Sequence, residues 1–320
     1  MRTLLMLVLA LAPATSGCGD DPPHAAGETS PSAPSSTPAP AATPPVSAPP
    51  AEEVPTRAVY YVGPGPDGPD APDAALYRYD VHGATYDTGS ILDPLTATPD
   101  DPDYRTLWPR GSFEGVGDPE VGVSVVHLAK DLSLDRPDGM SDREAELALQ
   151  QVAWTVGAAY VERPDLKLVQ GNRAVDQVFG ITLDDGLVRA APALSVLSHV
   201  NIIEPAEGAV VGDRFVVRGL ANGFEGTAAC YLEHPSGSAL WSGATIAGWQ
   251  EERLFPFEIE VDLPSLPPGS YVLRCSNDDP TGGSEGRGSD TDSRTVVVRE
   301  PGNGEPLQPI PREGPPPPSC

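Results

Sequence analysis

Several residue groups in this chain have types and spacings that could carry chemistry. Gly63-Pro64-Gly65-Pro66-Asp67-Gly68 spells G-x-G-x-x-G behind a strand-forming run. In a nucleotide site that pattern opens a helix whose amides hold a pyrophosphate. Pro64, Pro66, Pro69 and Pro72 forbid the helix, so the segment reads as a loop. Adjacent acids stand at Asp100-Asp101 and Asp184-Asp185 and could divide acid and base roles, although neighbouring acids on a loop are more often simply solvated. Asp278, Asp279, Asp290 and Asp292 flank a glycine-rich loop. They could gather oxygen ligands for calcium, or form an acidic hairpin tip in water, and the second reading is the plainer one. His24, His82, His127, His199 and His234 are scattered without ligand spacing, and His127 reads as a satisfied structural residue on a strand. Neither G-x-S-x-G nor H-E-x-x-H occurs. Trp108, Trp154, Trp241 and Trp249 could offer a platform for sugar rings, but Trp154 falls on a helix and reads as core. Cys18, Cys230, Cys275 and Cys320 include no Cys-x-x-Cys pair, so they do not suggest zinc. No catalytic residue, metal site or cofactor is expected.

The composition points the same way. The chain has 320 residues with 20 Lys+Arg against 46 Asp+Glu, a formal net charge of −26. Such a balance excludes nucleic acid as a partner, because that affinity rests on neutralising phosphates. Aromatic residues are 6% and hydrophobic residues 39%, while proline at 39 and glycine at 33 signal much linker sequence. The length allows two ordinary domains plus flexible ends rather than one large enzyme core.

Residues 1–18 read as an address. Arg2 precedes an apolar run from Leu4 to Ala12, which as a helix would span only about 14 Å, too short for a bilayer core of roughly 30 Å. This is the apolar segment of a secretory signal. Ala14-Thr15-Ser16-Gly17-Cys18 resembles the lipobox of bacterial lipoproteins, although Thr15 stands where leucine is usual. The resemblance implies cleavage before Cys18 and acylation of that cysteine; a plain secreted protein cut nearby is the simpler alternative. Residues 19–56 hold eleven prolines among Ala, Ser, Thr and Glu and are expected to be a disordered tether. As a polyproline spacer it would reach roughly 120 Å at about 3.1 Å per residue. The tail, 301–320, with Pro315 to Pro318 in a row, is expected to be disordered too.

Two folded regions remain, 57–198 and 199–300. In the first, Ala58 to Val62 and Leu76 to Val81 read as paired strands, and Val121 to Leu132 as another, with Val123, Val125 and His127 on one face. Ser141-Asp142-Arg143-Glu144 is a capping box, and Ala145, Leu149, Val152, Val156 and Ala159 follow at helical spacing. Asp165 to Val169 gives a further strand. The texture is α+β, a small sheet covered by one or two helices. The second region shows seven strand-like runs, at 199–204, 213–219, 226–233, 239–247, 254–263, 270–276 and 293–299. Phe255, Phe257, Ile259 and Val261 alternate with Glu258, Glu260 and Asp262, which gives a sheet with one wet face. Seven short strands in this length predict an all-β immunoglobulin-like sandwich. Leu266 to Tyr271 resembles a tyrosine corner, in which the phenol ties a turn to nearby backbone. Cys230 and Cys275 fall on the third and sixth strands, neighbours in one sheet of such a sandwich. Either a disulfide or two buried thiols would suit that placement, and the disulfide is preferred outside the membrane. Cys320 is left free or intermolecular.

Four stretches occur in the order expected of the GerMN domain, a sporulation and spore-germination domain of bacterial envelope lipoproteins. They are Val59-Tyr60-Tyr61-Val62, Asp101 to Pro109, Val125 to Ser133, and Gln151 to Thr155. The resemblance covers roughly 57–190; it departs where a helix usually precedes the Asp-Pro stretch, because Pro94 and Pro99 leave room for a turn or two. In the second region, Ile203 to Gly208, Val217 to Ala221 and Phe224-Glu225-Gly226 look like the immunoglobulin-like domain of bacterial spore germination, which often follows a GerMN domain. Together these resemblances imply a non-enzymatic lipoprotein, extracytoplasmic and anchored to the membrane by its N-terminal lipid. Its modules would bind or scaffold an envelope protein or cell-wall component, with sporulation, germination or wall-proximal assembly as the theme. The competing expectation is a cell-wall glycan-binding protein or hydrolase that uses an unrecognised acidic site in the first region, with Asp100-Asp101 or Asp184-Asp185 as candidates.

Overall fold

The computed structural model describes residues 56–299 apart from 68–71, 83–86, 161, 250, 264–265, 283 and 285. The signal segment with Cys18, the tether up to residue 55, the tail and Cys320 lie outside the described residues. Strand is the main regular structure among the described residues, with few helices.

The first region opens with the antiparallel pair β1 (Thr56–Pro64) and β2 (Ala74–His82). A second sheet contains β3 (Phe113–Val116), β4 (Val123–Leu128), β5 (Asp165–Gln170) and the short β6 (Arg173–Ala174) in that order. Helix α1 (Asp142–Gly157) connects the parallel strands β4 and β5. Two-residue strands β7 (Gln177–Val178), β8 (Ile181–Thr182) and β9 (Leu187–Val188) and the short helix α2 (Ala193–Val196) complete the region.

Helix α1 starts where its sequence says it must. Ser141 Oγ accepts from the Glu144 amide at 3.1 Å and Glu144 Oε2 accepts from the Ser141 amide at 2.9 Å, so the capping box is complete. The buried stripe is broader than helical spacing from Ala145 suggests, since Leu147, Gln151, Trp154 and Thr155 are buried as well. The cause is a wedge position. One face of α1 joins Val126, Leu128, Leu166 and Leu168 of the sheet, while Leu147 and Trp154 join Tyr60, Val62 and Leu76 of the β1–β2 pair. Its buried polar residues close the edge of β1: Thr155 Oγ1 accepts from the Tyr60 amide at 3.1 Å, and Gln151 Nε2 donates to the Tyr60 carbonyl at 3.0 Å. An open strand edge inside a core would leave those groups unpaired.

Strand β4 has the two faces expected of it, Val123, Val125 and His127 on one and Val126 and Leu128 on the other, and the second is the buried one. Ser124, Val126 and Leu128 face the core, Val123 and Val125 are half-buried, and His127, expected as a satisfied structural residue, is exposed. Both faces of β4 carry valine, so alternation alone could not choose; α1 covers the Val126–Leu128 face and decides it.

The second region is a two-layer sandwich. One sheet runs β10 (Val200–Glu204), β12 (Arg214–Ala221) and β15 (Phe255–Asp262). The other runs β11 (Ala209–Val211), β17 (Thr291–Val298), β16 (Gly269–Asn277), β13 (Thr227–Glu233) and β14 (Ala239–Ile246). Strand β11, which pairs parallel with β17, is the one the sequence reading missed; with three residues it is too short to show alternation. Cys230 on β13 lies directly opposite Cys275 on β16, and the two form a disulfide. Tyr271 Oη donates to the Pro267 carbonyl at 2.7 Å, the contact a tyrosine corner requires. No helix among the described residues is long and apolar enough to cross a membrane.

Candidate functional site

The two regions meet along β2, β10 and β17, and the seam is built from polar groups. The Ser198 amide donates to the Leu76 carbonyl at 2.8 Å, and the Arg78 amide donates to Asn201 Oδ1 at 2.7 Å. Tyr77 Oη reaches both the Pro64 and Thr291 carbonyls at 3.0 Å. At the centre Arg294 of the second region inserts toward the first. Its Nη1 lies 2.7 Å from Asp101 Oδ2 and 2.9 Å from Asp292 Oδ1, and its Nη2 donates to the Ile202 carbonyl at 2.8 Å. Tyr104 Oη donates to Asp292 Oδ1 at 2.6 Å, and Asp292 Oδ2 accepts from the Ile202 amide at 2.6 Å. Arg294, Asp101 and Asp292 are each at most 3% exposed, so the charges are almost wholly buried. Strand β17 presents Asp292 and Arg294 in phase with the core valines Val296 and Val298, because residues two apart share a face.

A cleft of about 500 Å³ opens beside this cluster. Its wall carries Asp67, Asp103 and Glu207 in addition to Asp101 and Asp292, against Arg274 and Arg294. Ser293 Oγ donates to Asp103 Oδ2 at 2.6 Å across the seam. A second charged group lies nearby and reaches the first region through Arg287 Nη2, which donates to the Leu197 carbonyl at 3.2 Å. Asp290, fully buried, accepts from the His199 amide at 3.1 Å and from Arg287 Nε at 3.1 Å.

The electrostatics follow from burial. Burial pushes the Asp101 carboxyl up to about 6, with Arg294 and the Asp103 amide pulling the other way. It raises Asp292 as well, against Arg294. Burial alone would lower Arg294, but Tyr104, Asp292 and Asp101 outweigh it and hold the guanidinium charged. His199 is lowered by burial and then by Arg287, against Asp290. These directions have opposite consequences for stability. Asp101 holds its proton more tightly in the native state than at the unfolded value of about 3.9, so its contribution declines as pH rises from about 4 to about 6, by roughly 2–3 kcal/mol. His199 favours its neutral form natively, so its contribution is lost as pH falls below about 6.5. Urea unfolding of the wild type and of Asp101→Asn across that range checks the first effect. Wild-type stability should fall relative to the variant as pH rises; a difference independent of pH would contradict it.

The candidates named from sequence are therefore redistributed. Asp101 is a partner of Arg294, whereas Asp100 is exposed. Asp184 and Asp185 sit together on an exposed turn near Arg189. Asp290 and Asp292 are not a solvated hairpin tip; they are buried counter-ions of Arg287 and Arg294. Among the described residues no cluster of His, Cys, Asp or Glu is arranged to hold a metal ion. Of the histidines, His234 is an exposed residue beside Ser236, and His199 contacts the Leu194 carbonyl at 3.0 Å; His24 and the side chain of His82 lie outside the described residues. In the glycine-rich segment Gly63 and Pro64 end β1, Gly65 to Asp67 follow it without forming a helix, and Gly68 lies outside the described residues. A Cβ on Gly65 would meet the Pro72 carbonyl oxygen at 1.9 Å, so that glycine serves a close crossing of the chain rather than a phosphate. Trp108 is core, donating Nε1 to the Ala148 carbonyl at 2.7 Å and packing on Phe113 and Phe179. Trp154 is core too, Trp241 is half-buried, and Trp249 is exposed.

One other surface stands out. Strand β14 ends its sheet, and Ala239-Leu240-Trp241-Ser242-Gly243-Ala244-Thr245-Ile246 carries no charge and no proline. Leu240 and Ile246 on this strand are exposed, as are Phe224, Tyr231 and Trp249 elsewhere in the region. Edge strands are ordinarily blunted by charge or proline, and neither device is used here.

Sheet order, the β13–β16 disulfide and the tyrosine corner define the second region as an immunoglobulin-like sandwich. Residues 199–284 match the family model for the immunoglobulin-like domain of bacterial spore germination. No curated protein matches the chain. Among solved structures, the crystal structure of CopC from Methylosinus trichosporium OB3b is similar over 33% of this chain and 100% of that chain, at 17% identity and a TM-score of 0.23. A likeness at that score carries no argument about this fold.

Proposed function

We propose that this protein is a non-enzymatic, extracytoplasmic binding or scaffold module, held at the membrane through a lipid on Cys18 and working on an envelope protein or cell-wall component. On this reading residues 19–56, less Thr56 that β1 takes up, are the tether, the first region is of GerMN type, and the theme is germination, sporulation or wall-proximal assembly. The observation that carries it is the pairing of a polar-welded two-region body with an uncharged edge strand. A partner segment can extend the β14 sheet by main-chain hydrogen bonds, while Leu240 and Ile246 supply side-chain contact. The family match of residues 199–284 agrees with a binding role. The Asp101–Asp292 arrangement supports the non-catalytic reading, because both acids are almost wholly buried and spent on one guanidinium.

Two measurements test this. Wild-type protein should sediment with membranes and Cys18→Ala should appear in the soluble fraction; wild-type protein found wholly soluble would overturn the anchor. Residues 57–300 incubated with peptidoglycan should give no turnover. Hydrolysis lost on replacing Asp100 and Asp101, or Asp184 and Asp185, by Asn would replace this reading with the hydrolase.

A further inference from the structure

A second cleft, of about 500 Å³, lies on the seam away from the Arg294 cluster, between the C-terminal half of α1, the segment 190–197 and residues 252–254. Its chemistry is unlike that of the acidic cleft. The charged residues on its wall are Arg163 and Arg253 against Glu252, in a chain whose net charge is −26. Ala191, Ala193, Leu197, Leu220 and Leu254 supply apolar wall from both regions.

Two polar groups here lack the partners their kind usually has. Trp154 is 5% exposed, and its Nε1 has no acceptor among the described residues. Buried indole donors are nearly always paired, so an orphan at a cleft wall asks for an acceptor. Arg163 lies across the Trp154 ring with Cζ 3.8 Å from the centroid, and the charged or ionisable neighbour acting on it is Tyr60 rather than a carboxylate. Arg253, by contrast, is held by Glu251 at 2.6 Å. The placement of Arg163 is built in, since a Cβ on Gly157 would stand 2.3 Å from Arg163 Cγ. Glycine at that turn of α1 is what lets the arginine stem lie flat on the helix. A guanidinium stacked on a ring keeps its N–H edge available, in a fork that matches a two-oxygen acid.

We propose that this cleft binds a small amphiphilic carboxylate, one oxygen taking the Trp154 indole proton, the other the Arg163 fork, and the apolar body lying against Leu197, Leu220 and Leu254. Glu252 at the wall favours a single negative charge over a phosphate dianion. The volume suits a molecule of drug size or below. The inference is independent of Cys18 anchoring and of the β14 edge.

Calorimetric titration of the full chain with octanoate, octan-1-ol and octyl phosphate tests it. Octanoate should bind, with octanol and octyl phosphate each weaker by about tenfold or more, the scale of one charge-assisted hydrogen bond. Arg163→Gln, a change at an exposed side chain, should cut octanoate affinity by about tenfold. Trp154→Phe should do likewise while leaving the melting temperature unchanged or higher, because the orphan donor is gone. Equal binding of octanol, tighter binding of octyl phosphate, no binding of octanoate, or octanoate affinity unchanged in Arg163→Gln would each overturn the proposal.

Discussion

Replacing Arg294 by methionine is expected to destabilise the protein by about 3–5 kcal/mol, because it strands two buried carboxylates that share that guanidinium. The loss should be specific to the uncompensated charge. Adding Asp101→Asn and Asp292→Asn to Arg294→Met should recover part of the stability, since an interior without charge tolerates the missing cation better than one with two anions. The cluster also joins the regions: Asp101 and Tyr104 belong to the first, and Asp292 and Arg294 to the second. Urea unfolding followed by Trp fluorescence and by far-ultraviolet circular dichroism should coincide in the wild type and separate in Arg294→Met. A shift below about 1 kcal/mol with the transitions still coincident would show that the seam is held by other contacts.

Removing the disulfide should have an effect of similar size. Cys230 and Cys275 close a span of 45 residues, and chain-entropy arguments place its contribution at about 4 kcal/mol. The double variant Cys230→Ala, Cys275→Ala should lose about that much by urea titration, and wild-type protein unfolded with dithiothreitol present should shift to the same midpoint. In the Arg294→Met background the loss should fall on the second region's transition alone. If reduction leaves the midpoint unchanged, the cross-link adds nothing to the unfolding equilibrium.

What the sequence made legible was local. The capping box at Ser141, the alternation of Phe257, Ile259 and Val261 against Glu258 and Glu260, and the tyrosine corner at Tyr271 each announce themselves within ten residues, and each is present as read. The Cys230–Cys275 pair was legible one step further, through strand order. The seam was not. Asp101, Tyr104, Asp292 and Arg294 are separated by up to 193 residues, and Asp292 beside a glycine-rich loop looks solvated until its partner is known. A signal did exist, for Asp292 and Arg294 stand in the alternation phase of Val296 and Val298, where charge is out of place unless paired. Which face of β4 is buried was not legible for a different reason: valines stand on both sides, and the next element, α1, covers the Val126–Leu128 face.

The hydrogen bonds that α1 gives to Tyr60, and those that Ser198 and Asn201 make with β2, place the β1–β2 hairpin between both halves as a shared wall. Severing the polypeptide at residue 198 would not yield two self-sufficient pieces. Each fragment would carry a raw, polar-lined face, and Asp101 in the first would lose the guanidinium that Asp292 keeps in the second. In evolutionary terms such a pair cannot be shuffled freely: either half, transplanted into a new gene, would have to bring the other's docking residues with it or rewrite its own.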